Sequence, residues 1–193
     1  MEPAKERNIV RASLTGIALL IVGYFTSFLL TDYLTPYGRY NLPFVVFVVD
    51  TINLFIHEGG HGVFGIFGTF VGFLGGSLMQ VLIPLATVIV FFKSGFRSLI
   101  FTLYWLGHNL INVSIYIADA PYRKLRLISK HAIHDWGWIC DKLGITHHAE
   151  SIATVVLVIG GATCIAALGV GLFAIYRDLS PAPATRNKRF SNP

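Results

Sequence analysis

The chain has 193 residues, of which 54% are hydrophobic and only 13% are charged. This composition excludes an ordinary soluble globular domain and predicts a polytopic membrane protein built as one compact domain. The net charge of +5 does not indicate a nucleic-acid partner. The basic residues lie at the termini and in loops, where they would meet anionic lipid head groups.

Five apolar segments are long enough to cross a bilayer core about 30 Å thick. They predict an all-α fold with about five transmembrane helices, at about residues 13–34, 44–67, 77–92, 98–118 and 151–176. A single transmembrane domain would cover residues 1–178, and the polar residues 179–193 would form a disordered tail. We expect a multi-pass integral protein of the bacterial cell membrane, embedded in the lipid bilayer.

The second segment contains His57-Glu58-Gly59-Gly60-His61, and Glu58 is the only formally charged residue from Thr51 to Phe92. An ionisable side chain at that depth indicates a functional site. Residues four apart share a helix face, so His57 and His61 can bind one metal ion, with Glu58 placed to act as a general base. This H-E-x-x-H spacing is typical of zinc hydrolases and predicts a Zn²⁺ cofactor. The alternative is a pair of hydrogen-bonded core histidines beside a protonated Glu58.

Glycines recur after this motif, at positions 62, 65, 68, 72, 75 and 76. Their spacing fits close helix packing, which requires small residues in lipid. It also fits a re-entrant or kinked segment that borders the metal, where irregular backbone would line a cavity. The sequence leaves both interpretations open.

A catalytic zinc ion usually has three protein ligands and one open position, so a third ligand must come from elsewhere. Asp119 follows twenty uncharged residues, 99–118, and His134 precedes Asp135, as in a ligand that is oriented by a carboxylate. Asp119 is favoured because the end of a helix is rigid and its negative charge would offset the metal. His134 lies in the polar segment 119–150 and stays the alternative.

Two asparagines in the fourth segment, Asn109 and Asn112, are three residues apart and share a helix face. Their amides would either hold an extended substrate backbone or bond a neighbouring helix.

Together these motifs resemble the site-2 protease family of intramembrane zinc metalloproteases. The resemblance covers roughly residues 44–120 and implies that His57 and His61 are ligands and that Glu58 is the base. It further implies that Asp119 is the third ligand and Asn112 a substrate contact. The second motif departs from the family, because residues 112–119 lack its prolines and Ala120 stands where the family has glycine. His134 therefore stays a candidate.

The sequence thus predicts an intramembrane zinc metallopeptidase that hydrolyses a membrane-embedded protein or peptide substrate. Two alternatives remain. One is a ceramidase-like zinc amidase that cleaves a lipid amide by the same chemistry. The other is a non-catalytic membrane protein with a structural or vestigial metal site, which would not need Glu58. The oligomeric state is not indicated by the sequence.

Overall fold

A computed structural model describes residues 2–34, 42–129 and 132–180. These residues form helices joined by short turns and loops, and no strand occurs within the described ranges. The prediction of an all-α fold is therefore confirmed for this part of the chain. The helices are α1 (Glu2–Leu30), α2 (Phe44–Phe64), α3 (Thr69–Phe91), α4 (Phe96–Ala118), α5 (Asp135–Leu143) and α6 (Ala149–Leu179).

Within the described residues, three helical stretches are long and apolar enough to cross a membrane: Lys5–Leu34, Thr69–Ser94 and Thr146–Leu179. Large apolar side chains such as Leu20 and Val158 are exposed on the outside of the helices, as suits lipid better than water. Both observations agree with a membrane protein. Helices α2 and α4 occupy the second and fourth predicted segments, but the count of five crossings stays a prediction. Residues 181–193 of the predicted tail lie outside the described residues.

Glycines with positive φ make the turns on either side of α3. Gly68, just before α3, has a φ of +104°, and Gly95, just before α4, has a φ of +112°. Only glycine adopts such angles without strain. Helices joined by connections this short are antiparallel neighbours, and α3 packs against both α2 and α4.

The contact between α2 and α3 depends on glycines that face each other. A Cβ atom on Gly60 would lie 2.2 Å from the carbonyl oxygen of Gly75, and one on Gly75 would lie 2.7 Å from that of Gly60. No larger residue fits at this crossing without moving the backbone. Close packing therefore accounts for these two glycines. Helix α3 is continuous from Thr69 to Phe91, and a re-entrant segment stays a prediction.

Helix α5 was not predicted, because its nine residues lie inside the polar segment 119–150. The His134 side chain caps its start by accepting a hydrogen bond from the backbone N–H of Gly137. Its end is closed by Gly144, in the left-handed conformation with a φ of +68°, which is a common helix terminator.

Two tryptophans attach α5 to α3. Trp136 Nε1 donates a hydrogen bond to Ser77 Oγ at 3.0 Å. The Trp138 ring stacks on Phe73 with centroids 4.3 Å apart. These contacts bring the first residue of α5 towards the motif on α2.

Candidate metal centre

His57 and His61 lie one turn apart on α2 and face the same space. Their ring centroids are 4.8 Å apart. The ring of His57 packs directly against Gly76 of α3, where an added Cβ would lie 2.5 Å from Nε2. The sequence therefore places both imidazoles on one face, as predicted, and a glycine on the neighbouring helix makes room for one of them.

The Nδ1 atom of each ring faces an oxygen that can only accept. His57 Nδ1 lies 3.1 Å from Gln80 Oε1, and His61 Nδ1 lies 2.8 Å from the carbonyl oxygen of Gly72. Each Nδ1 therefore carries a proton and donates it. Such contacts fix the orientation of metal-binding histidines and leave Nε2 for the metal.

Asp135 brings a carboxylate to the Nε2 atoms of both rings. Its Oδ2 lies 3.0 Å from His57 Nε2 and 3.3 Å from His61 Nε2. Burial alone would raise the pKa of the Asp135 carboxyl, but hydrogen bonds from His57 and His61 lower it to about 2. Tyr116 contacts the same oxygen through its hydroxyl, at 3.2 Å. Among the described residues, His57, His61 and Asp135 form the group whose ligand atoms could hold a metal ion, and these atoms lie within 4.8 Å of one another.

A bound cation is one way to satisfy the polar atoms of this group. All of the ring nitrogens of His57 and His61 face acceptor oxygens, but a neutral imidazole has only one N–H. With Gln80 in this orientation, a neutral ring that donates through Nδ1 presents the Nε2 lone pair to the Asp135 carboxylate, so either the ring carries a second proton or a cation lies between Nε2 and the carboxylate. Ligand atoms on a tetrahedral zinc ion are about 3.3 Å apart. The two separations measured from Asp135, 3.0 and 3.3 Å, are close to that value, so this group could hold a metal ion.

A cavity of about 730 Å³ opens beside this group, and all three candidate ligands line it. Glu58 lines the same cavity and is half-buried. The general base predicted from the sequence therefore shares a space with the candidate ligands. The rest of the wall is divided between polar and apolar residues. The polar residues are Tyr33, Asp50, Thr69, Gln80, Asn112, Tyr116 and Arg126, and the others are Leu54, Gly72, Phe73, Ile115, Leu125, Leu127, Ile128, Ala132 and Ile133.

Asp119 and His134, the two candidates for third ligand, contact each other instead. His134 Nε2 lies 3.1 Å from Asp119 Oδ2, and His134 Nδ1 accepts from Gly137. The Asp119 carboxylate also accepts from the backbone N–H groups of Lys124 and Leu125. Burial lowers the pKa of His134, although Asp119 acts in the opposite direction. The structure brings neither residue to the histidine pair, and both instead hold the loop that leads into α5.

The two asparagines have different surroundings. Asn112 lines the cavity, but its Oδ1 accepts from Gln80 Nε2 at 2.8 Å and its Nδ2 donates to the Tyr33 hydroxyl at 2.6 Å. Asn109 is fully buried and donates to the carbonyl oxygen of Trp105 at 2.8 Å. Asn112 thus bonds a neighbouring helix, which is one of the two interpretations that the sequence allowed. Asn109 is not among the residues that line the cavity.

Sequence reasoning missed Asp135 as a candidate ligand, although it noted Asp135 next to His134. It treated Asp135 as a partner of that histidine. The useful signal was an acidic residue directly after a capping residue, which marks the first turn of a helix. With α5 recognised, Asp135 would have satisfied the two criteria used for Asp119, a rigid position and a negative charge.

No protein-family model, no curated protein and no solved structure matches the chain.

Proposed function

We propose that the protein is an intramembrane zinc metallopeptidase that hydrolyses a peptide bond of a membrane-embedded substrate. His57, His61 and Asp135 would hold the metal, so that Asp135 takes the role that the sequence analysis gave to Asp119. The observation that carries the proposal is the set of partners of the histidine pair: every ring nitrogen of His57 and His61 faces an acceptor oxygen. A cation satisfies that arrangement without an imidazolium ring at buried His57 and another at half-buried His61.

A bound zinc ion would supply Lewis acidity, which lowers the pKa of a water molecule and polarises a carbonyl group. Glu58 follows His57 on α2 and lines the same cavity, so its carboxylate would accept the proton of the attacking water. The same group would then return that proton to the leaving amine. A purely structural metal site needs no such base, and the presence of Glu58 in the cavity supports catalysis.

A location inside the membrane is part of the proposal. Helix α2 carries the histidine pair and packs against α3, which is apolar and long enough to cross a bilayer. Five crossings would place the cavity within the bilayer, where a substrate helix must be unwound to expose its backbone. The resemblance to site-2 proteases then rests on the first motif, because Asp119 and Asn112 are engaged in contacts of their own.

A lipid amide is the second substrate class, because part of the cavity lining is apolar. Eight of its lining residues, five of them within residues 125–129 and 132–133, have aliphatic or phenyl side chains that would pack on an acyl chain. The same base and the same ligands would serve amide hydrolysis in a ceramidase-like enzyme. The cavity is also lined by polar groups, which suit a peptide backbone better than a hydrocarbon chain, and for that reason we favour the peptide.

The test compares purified wild-type protein with Glu58→Gln. Both would be incubated with a set of synthetic single-span peptides and, separately, with a fluorescent N-acyl sphingoid lipid. We expect new peptide termini by mass spectrometry with the wild type and none with Glu58→Gln, while both proteins contain zinc. Cleavage of the lipid alone would replace the peptidase by the amidase. Zinc binding without cleavage of either probe would indicate a structural metal site.

A further inference from the structure

A chain of hydrogen bonds runs from the candidate metal centre to Asp50, which lies seven residues before His57 on α2. It begins at His57 Nδ1, which contacts Gln80 Oε1 at 3.1 Å, and Gln80 Nε2 then donates to Asn112 Oδ1 at 2.8 Å. Asn112 Nδ2 donates to the Tyr33 hydroxyl at 2.6 Å, and that hydroxyl donates to Asp50 Oδ2 at 3.1 Å. The chain joins α2, α3, α4 and the end of the first helical stretch around one imidazole.

Every donor in this chain points away from His57 and towards Asp50. The direction matters because each amide has one donor end and one acceptor end. If Gln80 and Asn112 both turned over, Gln80 Nε2 would donate to His57 Nδ1, and the proton of a neutral ring would move to Nε2. Nε2 is the atom that faces Asp135 and would bind the metal. The reversed chain therefore blocks the ligand atom.

Asp50 is the group that sets the direction. Tyr33 can donate or accept through its hydroxyl, and both amides can turn over, but an ionised carboxylate only accepts. His108 Nε2 lies 2.8 Å from the other oxygen of this carboxylate, Asp50 Oδ1, although neither atom makes a hydrogen bond within the described residues.

We propose that Asp50 is a positioning residue for His57: through Tyr33, Asn112 and Gln80 it holds the Nδ1–H form of the ring, and so leaves Nε2 ready to bind the metal. The inference rests on the metal site of the proposed function. The chain does not act as a proton wire, because side-chain amides do not readily pass protons along. Its effect is on metal affinity.

The test measures zinc affinity by competition with a chromophoric chelator, in the full-length purified protein. Asp50→Ala removes the acceptor, and Tyr33→Phe removes only a hydroxyl and keeps the packing of the ring. Both changes leave the amides free to turn over. We expect each variant to bind zinc about tenfold more weakly than the wild type, at the lower end of the range for residues that orient metal ligands.

Gln80→Glu provides the matched control. The introduced carboxylate only accepts, so it would hold the Nδ1–H form of His57 by itself. Asn112 would then donate to it and accept from Tyr33, and the chain would no longer require Asp50. In the Gln80→Glu background we therefore expect Asp50→Ala and Tyr33→Phe to leave zinc affinity unchanged.

The possible results separate the two proposals. Equal losses of zinc affinity in both backgrounds would overturn the role of Asp50, since a merely structural residue would act in the same way in each. No loss in the wild-type background would overturn it as well. If Asp50→Ala does not fold, the comparison of Tyr33→Phe in the two backgrounds decides the outcome.

Zinc affinities that follow the expected pattern without any cleavage would overturn the peptidase and support the positioning role. Failure of the wild type to bind zinc would overturn both.

Discussion

Gly76 offers a sharp test of the candidate metal centre because it contacts the candidate ligand His57 and has no side chain of its own to bind a metal. A Cβ atom added there would lie 2.5 Å from His57 Nε2 and 2.7 Å from both neighbouring ring carbons. Ordinary van der Waals contact begins at 3.4 Å. Gly76→Ala therefore requires the imidazole or α3 to move by roughly 0.9 Å, several times the tolerance of about 0.2 Å in a metal–ligand distance.

A displacement of the His57 ring would disturb its other contacts. Gln80 holds its Nδ1 and Asp135 holds its Nε2, so a displacement breaks or lengthens both contacts. We expect Gly76→Ala to weaken zinc binding by at least about tenfold, which is about 1.4 kcal/mol. Overpacking should also destabilise the fold, by about 1–3 kcal/mol. Intrinsic helix propensity acts in the opposite direction, because alanine stabilises a helix by about 1 kcal/mol relative to glycine.

The assay pairs zinc affinity with thermal unfolding, and Gly59→Ala is the control. Gly59 lies inside the motif itself, yet an added Cβ there would meet nothing within 4 Å. Gly59→Ala should keep the zinc affinity of the wild type and unfold at the same or a higher temperature. Wild-type zinc affinity in Gly76→Ala would refute the reasoning, since it would mean that His57 is not held where the structure has it.

Further predictions concern the ligands, the base and α5. His57→Ala should remove zinc from the purified protein, as metal analysis would reveal, because one residue of α2 cannot rebuild a two-point contact. Glu58→Gln should keep zinc and the fold but lose hydrolysis, and unchanged turnover would show that another group is the base. Asp135→Ala should lower zinc occupancy more than Asp119→Ala does, and the opposite order would restore Asp119 as the third ligand. Trp138→Ala should lower the unfolding temperature by removing about 3 kcal/mol of packing. It should also weaken zinc binding, because α5 carries Asp135. Unchanged zinc affinity would show that α5 is held by other contacts.

The long helices could be predicted because their signal is local. Each apolar segment is a continuous run of residues that are themselves apolar, although α3 begins at Thr69, eight residues before the predicted start of the third segment at residue 77. The histidine pair could be predicted for the same reason, since helical spacing alone decides that His57 and His61 share a face.

The third candidate ligand, Asp135, is brought to the site by tertiary contacts, which explains why the sequence favoured Asp119 instead. Helix α5 is short, and isolated helices of that length are marginal in water. It is held by the contacts that its residues Trp136 and Trp138 make with α3, a helix that lies far away in the sequence. The packing of α5 therefore decides whether Asp119 or Asp135 faces the histidines. The periodicity of residues 119–150 does not predict where α5 packs.

The order of the ligands along the chain has a consequence for synthesis. Asp135 follows His61 by 74 positions, with α3 and α4 between them. At a translation rate of about 5–20 residues per second, the carboxylate emerges roughly 4–15 s after the second histidine. During that interval a nascent chain in the membrane displays the imidazole pair without its acidic partner. The three groups can meet only after α3 and α4 have been made and α5 has packed on α3, so the growing polypeptide cannot assemble this centre before most of its helices exist.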